Sequence, residues 1–89
     1  MDIRIDIESE GPEVILHVAG RLTGSAITQL SDLCETIETH YVLDLSNLMF
    51  TDDAGAEAIR GLHEGGADIR GASSFIKLLI DGDDAIYSI

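Results

Sequence analysis

The sequence feature that most constrains the fold is the segment from Tyr41 to Gly55. It begins with Tyr41-Val42-Leu43-Asp44-Leu45, a short and nearly continuous apolar run. Such a run is typical of a parallel β-strand that is covered on both faces, where strict alternation is not required. We therefore predict a central strand over 41–45, followed by a short loop and a helix.

The helix after this loop has recognisable ends. Asp52 is a good N-cap, because its carboxylate can accept the free N–H groups of the first turn and suits the positive end of the helix dipole. Gly65-Gly66 predicts the C-terminal end, since glycine adopts positive φ at little cost. Between these ends, apolar spacing predicts one buried face made of Gly55, Ala58, Ile59 and Leu62. The predicted exposed residues are Asp53, Ala56, Glu57, Arg60 and Glu64.

The N-terminal third predicts a hairpin and a helix. Isoleucines alternate with charged residues over 3–8 and apolar residues alternate again over 14–19, which predicts two antiparallel strands joined by a turn at 9–13. Thr23 or Ser25 is expected to cap the helix that follows. The predicted apolar stripe of that helix consists of Ile27, Leu30, Leu33, Cys34 and Ile37.

The C-terminal quarter predicts a strand, a helix and a last strand. The first strand is expected over 67–72, and Ser73 or Ser74 is expected to cap the helix, which ends at 81–84. The apolar stretch over 85–89 predicts the last strand. In the helix, we expect Lys77 outside and Phe75, Ile76, Leu79 and Ile80 inside.

The resulting element order is β-β-α-β-α-β-α-β. It predicts a single α/β domain over 1–89, with a mixed sheet of four or five strands and helices mainly on one face. A chain of 89 residues has no room for a second domain.

Charge and composition exclude several classes of partner. Seventeen acidic residues against five basic ones give a formal net charge of -12, which repels nucleic-acid phosphates and anionic lipids. No secretory signal and no run approaching a membrane span is visible, so we expect no membrane insertion. The single cysteine suits a reducing compartment. We therefore predict a cytoplasmic protein.

The candidate catalytic and metal-binding residues have simpler interpretations. Asp52 and Asp53 could hold magnesium, but an N-cap and a first-turn acid explain both. His17, His40 and His63 have no paired-ligand spacing. We expect no enzymatic activity, no metal and no cofactor, although nucleotide binding stays open as a third functional class.

Three other groups are also interpreted structurally. Cys34 lies in an apolar stripe near acidic residues, which indicates a core residue rather than a reactive thiol. The acids over 81–84 lack the remaining ligands of a calcium loop. Ser46 has no identified histidine and acid to activate it.

Three segments resemble the STAS domain, the family shared by bacterial anti-sigma factor antagonists and the cytoplasmic tails of sulfate transporters. They are Val18-Ala19-Gly20-Arg21-Leu22, the run from Val42 to Gly55, and Gly66-Ala67-Asp68-Ile69-Arg70-Gly71-Ala72-Ser73. The resemblance covers nearly the whole chain. The family's usual last helix has no counterpart, and we leave open whether this exposes an edge through which two copies could form a homodimer.

The resemblance implies a protein-interaction function without the family's usual switch. In the antagonists, an aspartate, two small hydroxyl residues and a glycine begin the second helix, and a partner kinase phosphorylates the second hydroxyl. Here Asp52 and Gly55 match this motif, whereas Asp53 and Ala54 occupy the hydroxyl positions. Ala54 cannot be phosphorylated. It either keeps the domain permanently competent to bind, which we favour, or leaves Asp53 to mimic the modified form.

The resemblance also implies the partner and the surface. We expect an anti-sigma factor of the serine-kinase type, contacted through Thr23, Thr51, Asp52, Asp53, Ala54, Gly55, Ala56, Glu57 and Arg60. The acidic charge predicts a basic partner surface. The alternative is a small accessory subunit of an ABC transport system that moves phospholipids, in which case the partners are transporter subunits.

Overall fold

The structure, a computed structural model, describes residues 3–81. It contains four strands and three helices, in the order β-β-α-β-α-β-α that the sequence predicts. The predicted last strand over 85–89 lies outside the described residues. The elements are β1 Ile3–Glu10, β2 Glu13–Leu22, α1 Ser25–Glu35, β3 Tyr41–Thr51, α2 Asp53–Glu64, β4 Asp68–Arg70 and α3 Ser74–Asp81.

The four strands form one mixed sheet in the order β1-β2-β3-β4. β1 and β2 are the predicted antiparallel hairpin, with Ile5 opposite Val18. β2 and β3 are parallel, and so are β3 and β4. Because parallel strands end at the same edge of a sheet, the loops after β2 and β3 lie side by side.

The core lies on one face of this sheet, as predicted. Directly paired strand residues point to the same face, and the inward residues of β2 and β3 are Leu16, Val18, Leu43 and Leu45, with at most 1% of their surface exposed. The same apolar cluster includes Ala26, Leu30 and Cys34 from α1, Ile59 from α2, and Ile76 and Ile80 from α3. All three helices therefore pack on this face, and Cys34 is a core residue, as predicted.

The central strand is longer than the predicted 41–45. β3 continues through Thr51, and the predicted loop over 46–51 belongs to the strand. Two register shifts against β2, between His17 and Ala19 and between Gly20 and Arg21, each add one residue to β3. Such β-bulges break the period-two pattern, so a strand with an irregular sequence can remain paired.

One helix boundary corrects the sequence interpretation, and two confirm it. Neither Thr23 nor Ser25 caps α1, because the N-cap is Gly24, at φ 55°, and its carbonyl accepts the N–H of Ile27 at 3.1 Å. Ser73 caps α3, since its Oγ accepts the N–H of Ile76 at 3.2 Å. α2 ends at Glu64 before Gly65, as predicted.

For two helix residues, the structure reverses the predicted burial. Ala56 is 2% exposed rather than on the open face of α2, because α2 packs against α1 and α3 as well as the sheet and so buries a wider arc. Phe75 is 51% exposed, because α3 packs through Ile76 and Ile80 and these leave the neighbouring position outside the contact. No helix within residues 3–81 is long and apolar enough to span a bilayer.

Candidate functional site

The start of α2 is built as the sequence predicts. The Asp52 carboxylate Oδ1 accepts the backbone N–H of Gly55 at 2.8 Å, which makes Asp52 the N-cap. Asp53 lies in the first turn, where a negative charge is favoured by the helix dipole. The capping interaction fixes the first turn of α2 directly against the end of β3.

Beneath this turn, Thr51 and Gly55 form a tight contact with the end of β2. The buried Thr51 Oγ1 donates a hydrogen bond to the carbonyl oxygen of Leu22 at 3.1 Å. A Cβ atom on Gly55 would lie 2.6 Å from that same carbonyl oxygen and closer still to Thr51 Oγ1. Only a residue without a side chain fits here, so Gly55 lets α2 approach the C-terminal ends of β2 and β3.

The predicted contact residues therefore divide into buried residues that support the turn and exposed residues that a partner can reach. Thr51, Gly55 and Ala56 are buried and support the turn from below, so these three residues are not available to a partner. Asp53, Ala54 and Glu57 are exposed, and we refer to these three residues as the α2 N-terminal surface.

Of the three remaining predicted contact residues, two flank this surface and one lies further along α2. Asp52 is half-buried by its capping role. Thr23 is also half-buried, and it follows Leu22, which pairs with Thr51, so the structure brings Thr23 beside the start of α2. Arg60 lies about two turns further along α2, and its guanidinium donates to the carbonyl oxygen of Ile80 at the end of α3. Arg60 thus links α2 to α3 and lies apart from the other predicted contacts.

Sequence reasoning missed two groups near the C-terminal end of β3. Met49 is 74% exposed in the bulged end of β3, which makes it the most exposed large apolar residue of the described chain. Next to it, the guanidinium carbon of Arg21 lies 4.9 Å from the centroid of the Phe50 ring, within range of a cation–π interaction. The irregular spacing of Leu43, Leu45 and Leu48 is the sequence signal that indicates the bulge.

A second polar cluster lies on the sheet face opposite the helices. His17 Nε2 is 2.8 Å from Glu8 Oε1, and its Nδ1 is 3.3 Å from Asp44 Oδ2. The hydrogen bond that His17 donates to Glu8 raises the pKa of His17. Asp44 also accepts hydrogen bonds from Ser46 Oγ at 2.6 Å and Ser46 N–H at 3.0 Å, and these bonds lower the pKa of the Asp44 carboxyl.

This cluster does not form a nucleophilic site. The Ser46 hydroxyl donates to Asp44, and the nitrogens of His17 face the two carboxylates, so the contacts around His17 provide no base for the serine. Burial raises the pKa of the Cys34 thiol, which disfavours the thiolate. Among residues 3–81, no group of three or more His, Cys, Asp or Glu side chains is placed to hold a metal ion.

Comparison with known proteins shows a similarity at the level of the fold. No family model matches the chain, and no curated protein matches it. Among solved structures, the chain is similar to the crystal structure of an anti-sigma-factor antagonist, a STAS domain from Rhodobacter sphaeroides, with a TM-score of 0.54 and 20% sequence identity. The similarity covers 82% of this chain and 94% of that chain. The fold of this protein is therefore STAS-like, in agreement with the resemblance in its sequence.

Proposed function

We propose that this protein is a non-catalytic regulatory domain that binds another protein in the bacterial cytoplasm, in the manner of an anti-sigma factor antagonist. The single observation that carries the proposal is the exposed Ala54, which lies between Asp53 and Glu57 in a turn supported by the buried residues Thr51 and Gly55. A surface that is rigid before binding loses little conformational entropy when a partner covers it.

The negative charge of the α2 N-terminal surface favours a partner with a basic surface. Asp53 and Glu57 are exposed carboxylates on a chain whose net charge is -12. A basic partner surface would be steered toward this end of α2 and held in register by it. The exposed side chain of Met49 adds an apolar contact of the kind that tolerates small differences in partner shape.

The proposed binding is constitutive. A phosphate group at position 54 would add nearly two negative charges at the helix N-terminus and disrupt a partner that fits a neutral side chain. The methyl group of Ala54 accepts no phosphate, so the surface keeps one state. The single charge of Asp53 lies one position away and serves as a partner contact rather than as a phosphate mimic.

The test begins with capture of partners from lysate of the native host with wild type and with Ala54→Glu. The captured partner is then purified, and its affinity is measured by calorimetry for wild type, Asp53→Ala and Glu57→Ala. We expect each single alanine variant to lose at least roughly fivefold in affinity and Ala54→Glu to lose more, because charge and bulk enter the centre of the contact. Glu35→Ala is the matched control, since Glu35 is an exposed acid on α1.

The Ala54→Ser variant separates the two partner classes. If the partner is a serine-kinase-type anti-sigma factor, ATP should weaken its binding to Ala54→Ser and leave wild-type binding unchanged. Recovery of an ATPase and a permease would instead support a role as a transporter accessory subunit. Equal affinities of wild type, Asp53→Ala, Glu57→Ala and Ala54→Glu would contradict the proposed surface.

A further inference from the structure

A groove separates the C-terminal half of α2 from α3 and the end of β4. Its volume is about 670 Å³, which is in the range of small-molecule sites. Ile69, Ala72 and Ile80 form apolar parts of its wall, and Arg60, His63 and Lys77 contribute nitrogen-bearing side chains. The groove thus combines apolar surface with basic groups.

The basic groups are unusual in this chain because acidic residues outnumber basic ones by 17 to 5. Two of the five Lys and Arg residues, Arg60 and Lys77, line the same groove. The salt bridges found among the described side chains involve Arg4, His17 and His40, and none involves Arg60 or Lys77. Within the described chain, neither cation forms a salt bridge with a carboxylate. The same is true of Arg21 and Arg70, so Arg60 and Lys77 are distinguished by lining one groove together.

Helix geometry makes these side chains converge. Arg60 and His63 are three residues apart and share one face of α2. Lys77 lies three residues before Ile80 on α3, and the guanidinium of Arg60 donates to the Ile80 carbonyl oxygen. That hydrogen bond holds the two helices together across the groove, so the arrangement is built before any ligand arrives.

His63 is oriented by the turn that ends α2. Its Nδ1 lies 2.7 Å from the carbonyl oxygen of Ala67. Because a carbonyl oxygen only accepts hydrogen bonds, Nδ1 carries the proton. Nε2 has no hydrogen-bond partner among the described residues, which leaves it as the ring atom that can meet a ligand in the groove.

We propose that this groove binds a small amphipathic anion, a carboxylate or phosphate group attached to a short apolar body. Arg60 and Lys77 would contact the anionic group, and Ile69 and Ala72 would contact the apolar body. His63 would donate to the anion only as the imidazolium, in which Nε2 also carries a proton. Glu64 also lines the groove and opposes the anion, which limits its affinity. The site lies about two helical turns from Asp53 and is distinct from the α2 N-terminal surface.

The experiment is an NMR titration of backbone amides in the full 89-residue chain with four probes: phenyl phosphate, benzoate, inorganic phosphate and benzyl alcohol. Phenyl phosphate or benzoate should produce saturable shifts centred on 60–64, 69–72 and 76–80. The comparison between these two probes distinguishes a phosphate from a carboxylate ligand. Inorganic phosphate should bind more weakly, and benzyl alcohol should not saturate. The absence of saturable shifts up to about 10 mM, or shifts centred elsewhere, would overturn the proposal.

Charge variants sharpen the test. Lys77→Gln should weaken binding roughly tenfold, as expected for the loss of one charge-assisted hydrogen bond, and Glu64→Gln should strengthen it. Both residues are exposed, so neither substitution should disturb folding, and melting temperatures verify this. Arg4→Gln, an equal change of charge on β1, should leave binding unchanged. Equal affinity of wild type and Lys77→Gln, or an equal loss in Arg4→Gln, would reject the site.

Discussion

Two hydrogen-bonded clusters of this domain contrast in their exposure to water. The cluster of Thr51, Asp52 and Gly55 lies at the C-terminal ends of β2 and β3, and Thr51 is 1% exposed. The cluster of Glu8, His17 and Asp44 lies on the face opposite the helices, and the His17 and Glu8 side chains are 35% and 48% exposed. Water can replace a lost contact in the second cluster but not in the first. Burial, rather than the number of polar contacts, should therefore decide what each cluster contributes to stability.

The largest expected effect is that of Gly55→Ala. The new methyl group would meet the Leu22 carbonyl and the Thr51 side chain, so α2 must move away from the sheet. We expect a loss of about 3 kcal/mol in the free energy of unfolding, measured by urea denaturation. Gly61→Ala is the matched control in the same helix, because nothing lies within 4 Å of its added Cβ. It should stabilise the protein by about 0.5–1 kcal/mol, and a Gly55→Ala protein as stable as wild type would refute the contact.

An intermediate effect is expected for Thr51→Val. The substitution preserves the shape of the side chain but leaves the buried Leu22 carbonyl oxygen without the hydroxyl donor. The free energy of unfolding should fall by about 1–2 kcal/mol. Thr28→Val provides the comparison, because Thr28 is exposed on α1 and its replacement should be nearly neutral. Similar losses in the two variants would mean that burial does not distinguish Thr51.

The smallest effect on stability is expected at His17, and this effect depends on pH. Both ring nitrogens face carboxylate oxygens, and only the protonated imidazolium can donate to both. Glu8 first and Asp44 second raise the pKa of His17 from β1 and β3, while Arg70 on β4 opposes them. The stabilising contribution is therefore complete below the ordinary pKa of about 6.5 and is lost as pH rises through the raised folded value.

NMR titration of the His17 ring measures this effect directly. Glu8→Gln removes the main cause of the shift and should lower the pKa of His17, whereas Glu10→Gln, an exposed acid on the same strand, should leave it unchanged. The lowered pKa of Asp44 gives the acid limit: its contribution persists above the ordinary aspartate pKa and is lost as pH falls through the lower folded value. An unshifted wild-type His17 would contradict the double contact.

Local chemistry explains which features could be predicted from the sequence. The capping role of Asp52, the end of α2 at Gly65 and the antiparallel hairpin of β1 and β2 depend on neighbouring residues, and the structure agrees with all of them. The order of the elements follows from the same local signals. The buried side of α2 was predicted only in part, because Ala56 is covered through packing against neighbouring helices rather than through its own periodicity.

Features that depend on register could not be predicted in the same way. Glu8 and His17 meet across β1 and β2, and Asp44 joins them from β3, so their contact requires the alignment of three strands. The extension of β3 through Thr51 requires two bulges, whose positions depend on pairing with β2. The groove that contains Arg60 and Lys77 likewise needs the packing of α3 on α2, which no periodicity within either helix specifies.

The bulges also make the length of β3 as important as its composition. Leu22 is opposite Thr51 only because β3 contains two more residues than β2 between the His17–Asp44 pair and the Arg21–Phe50 pair. Deletion of one residue from this stretch would exchange inward and outward positions beyond it, since side chains alternate along a strand. Thr51 would then point away from the core, and α2 would start with a different rotation. Homologous domains that differ by one residue here would present a different face of α2 even with an identical helix sequence.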